Sequence, residues 1–326
     1  MTATRTLAAV SAEAIQAARI RIKPMIVRTP LVRLNADTGT REIFLKLENL
    51  QPIGSFKLRG AANAMAIAGK DALANGVYTA SAGNMAQGVA WCAREFGVRC
   101  QVVVPEHAPK TKTDAIERLG GEVIKVPFDE WWQTIVNHGR DGMPGLFVHP
   151  FADTNVMAGN GTIAAEIFDD IDNVDAILVP YGGGGLVCGI AAAARALSPN
   201  TKVYAVEVET AAPLTASWAA GQRTPVVRQP SFVDGMGSGG VAEEMWPLAQ
   251  ELLAGTIVVT VAQVADAVRL LMDRANVVAE GAGAAAVAAA MHGDLRENRI
   301  VSIVSGGNID LEKLATIIRG EIPIIG

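Results

Sequence analysis

The chain has 326 residues, half of them apolar, and its formal net charge is −5. That length predicts two domains or one large one, and the scattered lysines and arginines exclude a basic surface for nucleic acid. The three cysteines (Cys92, Cys100 and Cys188) have no paired spacing, and no apolar run reaches the ~20 residues of a membrane helix, so we expect a cytoplasmic protein without disulfides or a membrane segment.

The first stretch that carries chemistry is GSFKLRGA, residues 54–61, in which Lys57 follows Ser55 and Phe56. A typical lysine is solvated on the surface, and that is the ordinary interpretation of Lys57. A lysine that is partly buried becomes a nucleophile and can form a Schiff base with a carbonyl group. The stretch alone leaves both interpretations open.

A predicted strand at 77–80 leads into Ser81-Ala82-Gly83-Asn84 and then into a helix. Small polar residues at a helix N-terminus commonly cap the helix. The free N–H groups of the same turn can also bind a carboxylate. We expect one structure to do both.

Five β-branched runs alternate with helical stretches along the rest of the chain. The predicted strands are 100–104, 122–126, 175–181, 202–207 and 299–304. Continuous apolar strands that alternate with helices predict buried parallel sheets in an α/β fold. The helix after 122–126 contains Trp131 and Trp132, which we interpret as a helix face that packs on a sheet, with the lining of the site entrance as the less favoured alternative.

The run VPYGGGGLVCGIAAAA, residues 179–194, is a strand that enters four glycines and then a helix. Glycines let backbone N–H groups turn toward an anion, and the helix N-terminus adds a positive dipole end, so the run predicts a phosphate cup. A dinucleotide site is a rival, which Glu207 at the end of the next strand favours. Val187 and Cys188, however, stand where its fingerprint needs a third glycine. A flexible turn is the remaining alternative.

Four stretches stand in order along most of the chain, and two shorter ones support them. They are SFKLRGA (55–61), SAGNMAQGVA (81–90), GGGGL (182–186) and SGGN (305–308), with EGAGAAAVAA (280–289) and Asp234–Gly235 in support. Together they resemble the fold-type-II pyridoxal-phosphate enzymes, in particular the threonine/serine dehydratase group that also includes serine racemases.

The resemblance implies an α/β architecture of two open parallel-sheet domains with helices on both faces, like the tryptophan synthase β chain. Residues 1–51 plus 151–326 would form a large domain that binds the cofactor phosphate. Residues 52–150 would form a small domain that carries the substrate-carboxylate loop. Lys57 would lie in the cleft between them, and the cofactor would be pyridoxal 5′-phosphate.

The resemblance also implies a role for each matching residue. Lys57 would form a Schiff base with the cofactor, Phe56 would lie against its ring, and Asn84 would hydrogen-bond the ring oxygen. Main-chain N–H groups would hold the phosphate at Gly182, Gly183, Gly184, Gly185 and Leu186. The substrate carboxylate would be bound by Ser81, Ala82, Gly83, Asn84 and Met85. Ser305 would meet the ring nitrogen, and a hydroxyl there would make the cofactor ring a weaker electron sink than an aspartate would. The alternative is that Ser305 only starts a turn.

The implied reaction is pyridoxal-phosphate-dependent β-elimination. The substrate would be a β-hydroxy amino acid such as threonine or serine, or a related larger 3-hydroxy amino acid, and the products a 2-oxo acid and ammonia. Freed Lys57 would take the Cα proton. The resemblance implies a homodimer. We do not expect a regulatory domain for feedback control by isoleucine.

Two positions depart from the pattern of the family. Ala82 cannot carry a proton as the serine of serine racemases does, which disfavours a racemase. Met85 replaces the usual histidine and either marks a substrate with a larger apolar side chain or is neutral, since the family uses the backbone there. Ala82 and Met85 also disfavour a β-replacement transferase of the cysteine-synthase type. A nicotinamide-binding protein that uses the glycine cup is a further alternative.

We predict no metal site. Some relatives bind a divalent cation through an acid, an alanine and an aspartate. Glu207 and Ala211 fit that spacing, but Pro213 stands at the position of the aspartate. The histidines, which are His107, His138, His149 and His292, show no metal-ligand spacing.

Overall fold

The structure, a computed structural model, describes residues 6–324. Its strands are β1 (Leu31–Arg33), β2 (Glu42–Lys46), β3 (Val77–Ala80), β4 (Cys100–Pro105), β5 (Gly121–Val126), β6 (Leu146–Phe147), β7 (Ala176–Pro180), β8 (Lys202–Val208), β9 (Gly255–Val259) and β10 (Arg299–Ile303). Its α-helices are α1 (Ala12–Ile22), α2 (Lys57–Leu73), α3 (Asn84–Phe96), α4 (Lys110–Arg118), α5 (Phe128–Val136), α6 (Thr154–Asp170), α7 (Gly185–Leu197), α8 (Pro213–Ala220), α9 (Trp246–Leu252), α10 (Val261–Ala275), α11 (Gly281–His292) and α12 (Leu311–Ile318). Within the described residues no helix has the length and apolarity needed to cross a membrane.

The strands form two separate sheets. One has six strands in the order β1-β2-β10-β7-β8-β9, and the other has four in the order β5-β4-β3-β6. Every pairing is parallel except that of β1 with β2, which is antiparallel at one edge. The predicted α/β fold with two parallel sheets is therefore confirmed, and the six predicted strands are present as β3, β4, β5, β7, β8 and β10.

Helices cover both faces of the six-stranded sheet. Along its central strand β7, Ile177 and Val179 belong to a core that includes residues of α1, α6 and α7. Leu178 points the other way, into a core that includes residues of α10 and α11. All three side chains are fully buried, as expected for a parallel strand sandwiched between helix layers.

Side-chain caps start two of the longer helices. Asp153 accepts hydrogen bonds from the N–H groups of Asn155 and Val156 at the start of α6. Thr260 and Gln263 form a reciprocal capping box at the start of α10. These caps satisfy N–H groups that have no partner within the helix.

Close helix crossings hold α2, the helix that begins at Lys57. A Cβ atom at Gly159 of α6 would lie 2.3 Å from the carbonyl oxygen of Arg59, and one at Gly189 of α7 would lie 2.4 Å from the carbonyl oxygen of Met157. A side chain at either position would push the backbones apart. The two glycines therefore let α2, α6 and α7 pack backbone to backbone.

Four charged side chains are buried behind α2, and we call them the charged quartet: Lys46, Glu48, Arg59 and Glu166. Arg59 contacts Glu48 and Glu166, each at 2.8 Å, and Lys46 Nζ donates to Glu166 at 2.7 Å. Two positive and two negative charges cancel in a region that solvent does not reach. Because a buried charge without a partner is costly, the quartet fixes β2, α2 and α6 relative to one another.

Candidate active site

A cavity of about 1130 Å³ lies at the carboxyl ends of strands from both sheets. The segments that follow β3, β7 and β10 all contribute to its lining. This is where ligands bind in open parallel sheets. The residues singled out from the sequence all border this cavity: Phe56, Lys57, Ser81, Ala82, Gly83, Asn84, Met85, Gly182, Gly183, Gly184, Gly185, Leu186 and Ser305.

Lys57 occupies the first position of α2 and is half-buried. Its Nζ donates to the carbonyl oxygen of Pro150 at 2.6 Å and lies 5.3 Å from the centre of the Phe56 ring. Burial lowers the pKa of the Lys57 ammonium to about 8. A neutral amine, which is the form that attacks carbonyl groups, is therefore accessible near neutral pH.

The backbone ties Lys57 to the end of β10. Phe56 N donates to the carbonyl oxygen of Ser305 at 3.0 Å, and Ser55 forms an isolated antiparallel bridge with Gly306. Ser305 is buried and borders the same cavity. These contacts place Lys57 and Ser305, which are far apart in sequence, on one side of the site.

The four glycines connect β7 to α7 and form the predicted cup. A Cβ atom at Gly183 would lie 2.3 Å from the ring of Phe151, and one at Gly185 would lie 2.5 Å from the carbonyl oxygen of the same residue. Gly184 has a φ of +93°, a conformation that favours glycine. The segment therefore approaches Phe151 with its bare backbone, while the first N–H groups of α7 remain without helical partners.

The loop between β3 and α3 also borders the cavity. The N–H of Gly83 donates to Ser81 Oγ at 3.1 Å. The side chain of Met85 is only 1% exposed and packs in the core of the four-stranded unit with Val89 and Cys92. This burial favours the interpretation in which Met85 is neutral toward the substrate.

Two hydrogen bonds fix the amide of Asn84. Its Nδ2 donates to Glu280 Oε1 at 2.8 Å, and its Oδ1 accepts from Asn308 Nδ2 at 2.8 Å. The amide orientation is consequently set by residues of the other sheet unit. One N–H of Asn84 stays available to a ligand in the cavity.

Glu280 is a site residue that sequence reasoning missed. It is buried at the start of α11, and burial, reinforced by the nearby Asp234, raises the pKa of its carboxyl group to about 7, while the Asn84 hydrogen bond opposes the rise. The signal in the sequence was a single acidic residue before the Ala- and Gly-rich run at 281–290. In the sequence, that run served only as part of a motif.

Trp131 is a second residue whose position the sequence did not predict in full. As expected, it packs on a sheet, in a cluster with Ala80 and Val103. It also borders the cavity, together with His107 and Phe128. The interpretation of Trp132 as a packing residue was wrong, because 41% of its surface is exposed.

Two contacts join the sheet units on either side of the cavity. Lys112 of α4 contacts Asp234 at 3.0 Å, and His138, which follows α5, contacts Glu244 at 2.9 Å. His149 stacks on His138 with ring centres 4.2 Å apart. The Nδ1 of His149 accepts from the N–H of Ala152 at 2.7 Å. One ligand atom from each of His138, His149 and Glu244 lies within 4.8 Å of the other two, so these three side chains could hold a metal ion. The absence of a metal site therefore stays a prediction.

Glu207 is buried rather than solvated. It accepts hydrogen bonds from the N–H groups of Leu214 and Thr215 at 2.9 and 2.7 Å, and from the Thr215 hydroxyl at 2.7 Å. The carboxylate thus caps α8, which begins at Pro213. Its oxygens are engaged by the helix, and the prediction that no metal binds here remains a prediction.

The chain is similar to known proteins in both sequence and structure. The model of the family described as "Pyridoxal-phosphate dependent enzyme" matches residues 22–306. The chain is 38% identical to L-threonine ammonia-lyase of Thermotoga maritima over 95% of this chain and 78% of that protein. Serine racemase of Dictyostelium discoideum has a similar structure, with a TM-score of 0.83 and 33% identity over 93% of this chain and 100% of that one. Threonine deaminase isoform 2 of Solanum lycopersicum gives a TM-score of 0.83 and 31% identity over 97% and 96%.

Proposed function

Because the chain belongs to the family of pyridoxal-phosphate dependent enzymes, we propose that it is an ammonia-lyase that acts on a β-hydroxy amino acid. Threonine, serine or a larger 3-hydroxy amino acid would give a 2-oxo acid and ammonia. Relatives named L-threonine ammonia-lyase and threonine deaminase support this reaction. The observation that carries the proposal is the half-buried amine of Lys57 in a cavity shared by the glycine cup and the Ser81 loop.

The residues present fit pyridoxal phosphate. The cup leaves no room for Cβ atoms at Gly183 and Gly185, so only backbone faces that part of the cavity, as a bound phosphate requires. Lys57 has a lowered pKa and can bond an aldehyde, with Phe56 beside it. Asn84 and Ser305, which border the same cavity, would offer a side-chain amide and a hydroxyl to the polar groups of the ring.

Positioning and proton transfer are the tasks of this chain's own residues. Ser81 and the N–H groups at the start of α3 bind the substrate carboxylate, which orients the Cα–H bond toward Lys57. Lys57 takes the Cα proton as a general base. When bound, the cofactor supplies an electron sink for the charge that develops at Cα. Water lost at Cβ is balanced by water taken up when the released imino acid hydrolyses, so the net products are the 2-oxo acid and ammonia.

Racemisation is a weaker candidate, although a serine racemase is among the similar structures. Racemisation needs a proton donor on the face of Cα opposite Lys57. Ala82 stands where, by the resemblance, racemases carry a serine, and a methyl group donates no proton. These residues therefore favour elimination over racemisation.

Domains, assembly and compartment are part of the same proposal. We infer a large domain of residues 1–51 plus 151–326 and a small domain of 52–150, because β3 to β6 form their own sheet. We also infer a cytoplasmic homodimer. Three buried free thiols are consistent with a reducing compartment. Light scattering during gel filtration measures the oligomer directly.

A panel of β-hydroxy amino acids in both enantiomers tests the reaction. The purified holoenzyme should release 2-oxo acid and ammonia in equal amounts, with no change when a thiol is added. Added thiol that diverts the product into a thioether would instead establish a β-replacement enzyme. A colourless protein that binds nicotinamide and is unaffected by borohydride would overturn the proposal altogether.

A further inference from the structure

One wall of the cavity belongs neither to the glycine cup nor to the Ser81 loop, and we call it the aromatic wall: His107, Phe128 and Trp131. The ring centres of Phe128 and Trp131 are 5.4 Å apart, and those of His107 and Phe128 are 6.0 Å apart. The three rings therefore form a continuous surface. Phe128 is 51% exposed, so packing in the core does not account for its position.

The sheet topology places the aromatic wall beside the Ser81 loop. Strands β3, β4 and β5 are parallel neighbours in that order, so the segments after them emerge side by side. With strands about 4.8 Å apart, the residues after β4 and β5 lie roughly one and two strand spacings from Ser81. Trp131 also packs in one cluster with Ala80, which precedes Ser81, and with Phe151, which lies under the cup.

A bound amino acid would turn its side chain toward this wall. By the proposed function, its carboxylate would be held at the Ser81 loop and its nitrogen would lie near Lys57, which leaves the side chain as the remaining large substituent. Aromatic faces take up apolar and aryl groups through buried area and ring stacking. The cavity of about 1130 Å³ has to hold the cofactor and the substrate together.

We propose that the aromatic wall is the side-chain subsite and that the enzyme selects 3-hydroxy amino acids with an aryl or other bulky apolar group on Cβ. This inference rests on the proposed ammonia-lyase function and specifies its substrate class. Met85 is buried in the core and does not account for selection of a bulky side chain, whereas the aromatic wall does. Threonine and serine fill only a small part of such a subsite.

The cations at the rim of the cavity favour the opposite substrate class, one with an acidic side chain. Lys112 and Lys313 share Asp234, which neutralises part of their charge. Arg118 and Arg228 also border the cavity but are exposed, and solvated charges contribute little to binding. The negative face of an aromatic ring does not favour a carboxylate. An acidic side chain is therefore the competing outcome of the test.

The experiment uses amino acids that lack a β-hydroxyl group and cannot undergo elimination: phenylalanine, alanine and aspartate. Binding to the holoenzyme is measured by calorimetry and by the absorbance change of the bound cofactor. Phenylalanine should bind roughly 10- to 100-fold more tightly than alanine, the gain expected from burying one phenyl group. Aspartate should bind no more tightly than alanine.

Variants of the wall residues test whether the tighter binding of phenylalanine arises at the aromatic wall. Phe128→Ala and Trp131→Ala should each lower the affinity for phenylalanine by about fivefold or more and leave the affinity for alanine unchanged. Trp132→Ala is the matched control, because Trp132 is the adjacent exposed residue on α5. Phe128 is itself half exposed, so its variant should fold normally even if Trp131→Ala does not.

The inference is overturned if alanine or aspartate binds as tightly as phenylalanine, or if Trp132→Ala lowers phenylalanine affinity as much as Phe128→Ala. These results do not depend on turnover. A holoenzyme that releases oxo acid from threonine but shows no preference for phenylalanine retains the proposed reaction and loses this substrate class. One that binds phenylalanine but eliminates no hydroxy amino acid retains the subsite and loses the reaction.

Discussion

The two halves of the cavity differ in how tightly their backbones are held. On the cup side, Cβ atoms at Gly183 and Gly185 would collide with Phe151 at 2.3 and 2.5 Å. On the loop side, a Cβ atom at Gly83 would meet nothing within 4 Å. One half is a packed backbone surface, whereas the other is open and bordered by partly exposed side chains.

We infer from this contrast that one half determines cofactor binding and the other determines substrate choice. A surface that has no room for side chains at Gly183 and Gly185 suits a ligand that is the same in each catalytic cycle. An open surface whose side chains project from separate strand ends can change without disturbing the sheet. We therefore expect substitutions on the cup side to weaken cofactor binding, and substitutions on the loop side to change substrate choice.

Removing the amine at which both halves meet should have the largest effect. Lys57→Ala should lower the rate of oxo acid release by at least about a thousandfold, because both the general base and the covalent attachment are lost. Mass spectrometry after borohydride treatment should find no cofactor on the variant. Lys70→Ala, an exposed lysine on the same helix, is the control and should behave as wild type.

A single methyl group added on the cup side or on the loop side tests the difference between the two halves. Gly185→Ala should weaken pyridoxal phosphate affinity about a hundredfold, since the new Cβ would meet backbone that cannot move cheaply. Gly83→Ala should leave that affinity unchanged, because its Cβ points into open space. Both are measured by fluorescence titration of the apoprotein. Equal losses in the two variants would contradict the distinction between the halves.

Glu280 links the halves through Asn84, and its titration predicts how stability depends on pH. The folded-state pKa is raised to about 7, so the stability associated with the protonated carboxyl is complete at low pH and is lost as pH rises through 7. The Glu280→Gln variant has no carboxyl group to ionise, so its unfolding free energy should not fall in this way. Without added cofactor, the variant should gain roughly 2 kcal/mol in unfolding free energy relative to wild type between pH 5 and pH 9. A constant difference across this range would show that Glu280 does not titrate there.

The contact of His138 with Glu244 should have the smallest effect. It joins the two sheet units across 2.9 Å, and both side chains retain some exposure. A double-mutant cycle with His138→Asn and Glu244→Gln should give a coupling energy of about 1 kcal/mol in thermal or urea unfolding. Asparagine is chosen because His138 has a φ of 55°, which asparagine tolerates. A coupling near zero would mean that this contact does not hold the cleft.

Sequence reasoning succeeded where a short segment determines its own backbone. The glycines at 182–185, the strand before them and the helix after them are adjacent in the chain, so their local geometry could be predicted. The same holds for Lys57 and the Ser81 loop, although their meeting in one cavity was inferred from a resemblance. All these residues border one cavity, and their individual roles remain proposals.

Long-range packing accounts for what the sequence did not reveal. Glu280 and Asn84 are 196 residues apart, and only the assembled sheets bring them to 2.8 Å. Trp131 was interpreted as a packing residue, with the site entrance as the less favoured alternative, and the structure shows that it both packs and borders the cavity. The strands β1 and β6, of three and two residues, are too short to give a periodic signal. By contrast, β9 contains a β-branched run and was not predicted, although its composition is typical of a strand.

The charged quartet behind α2 has a consequence for the folding pathway. Glu48 and Arg59 are 11 residues apart, whereas Glu166 joins them from 107 residues beyond Arg59. Until α6 docks, an early intermediate with α2 in place would leave unneutralised charge in a dry interior, which is strongly unfavourable. The quartet should therefore make docking of these segments cooperative, so that partly assembled states with a half-built reaction centre stay rare.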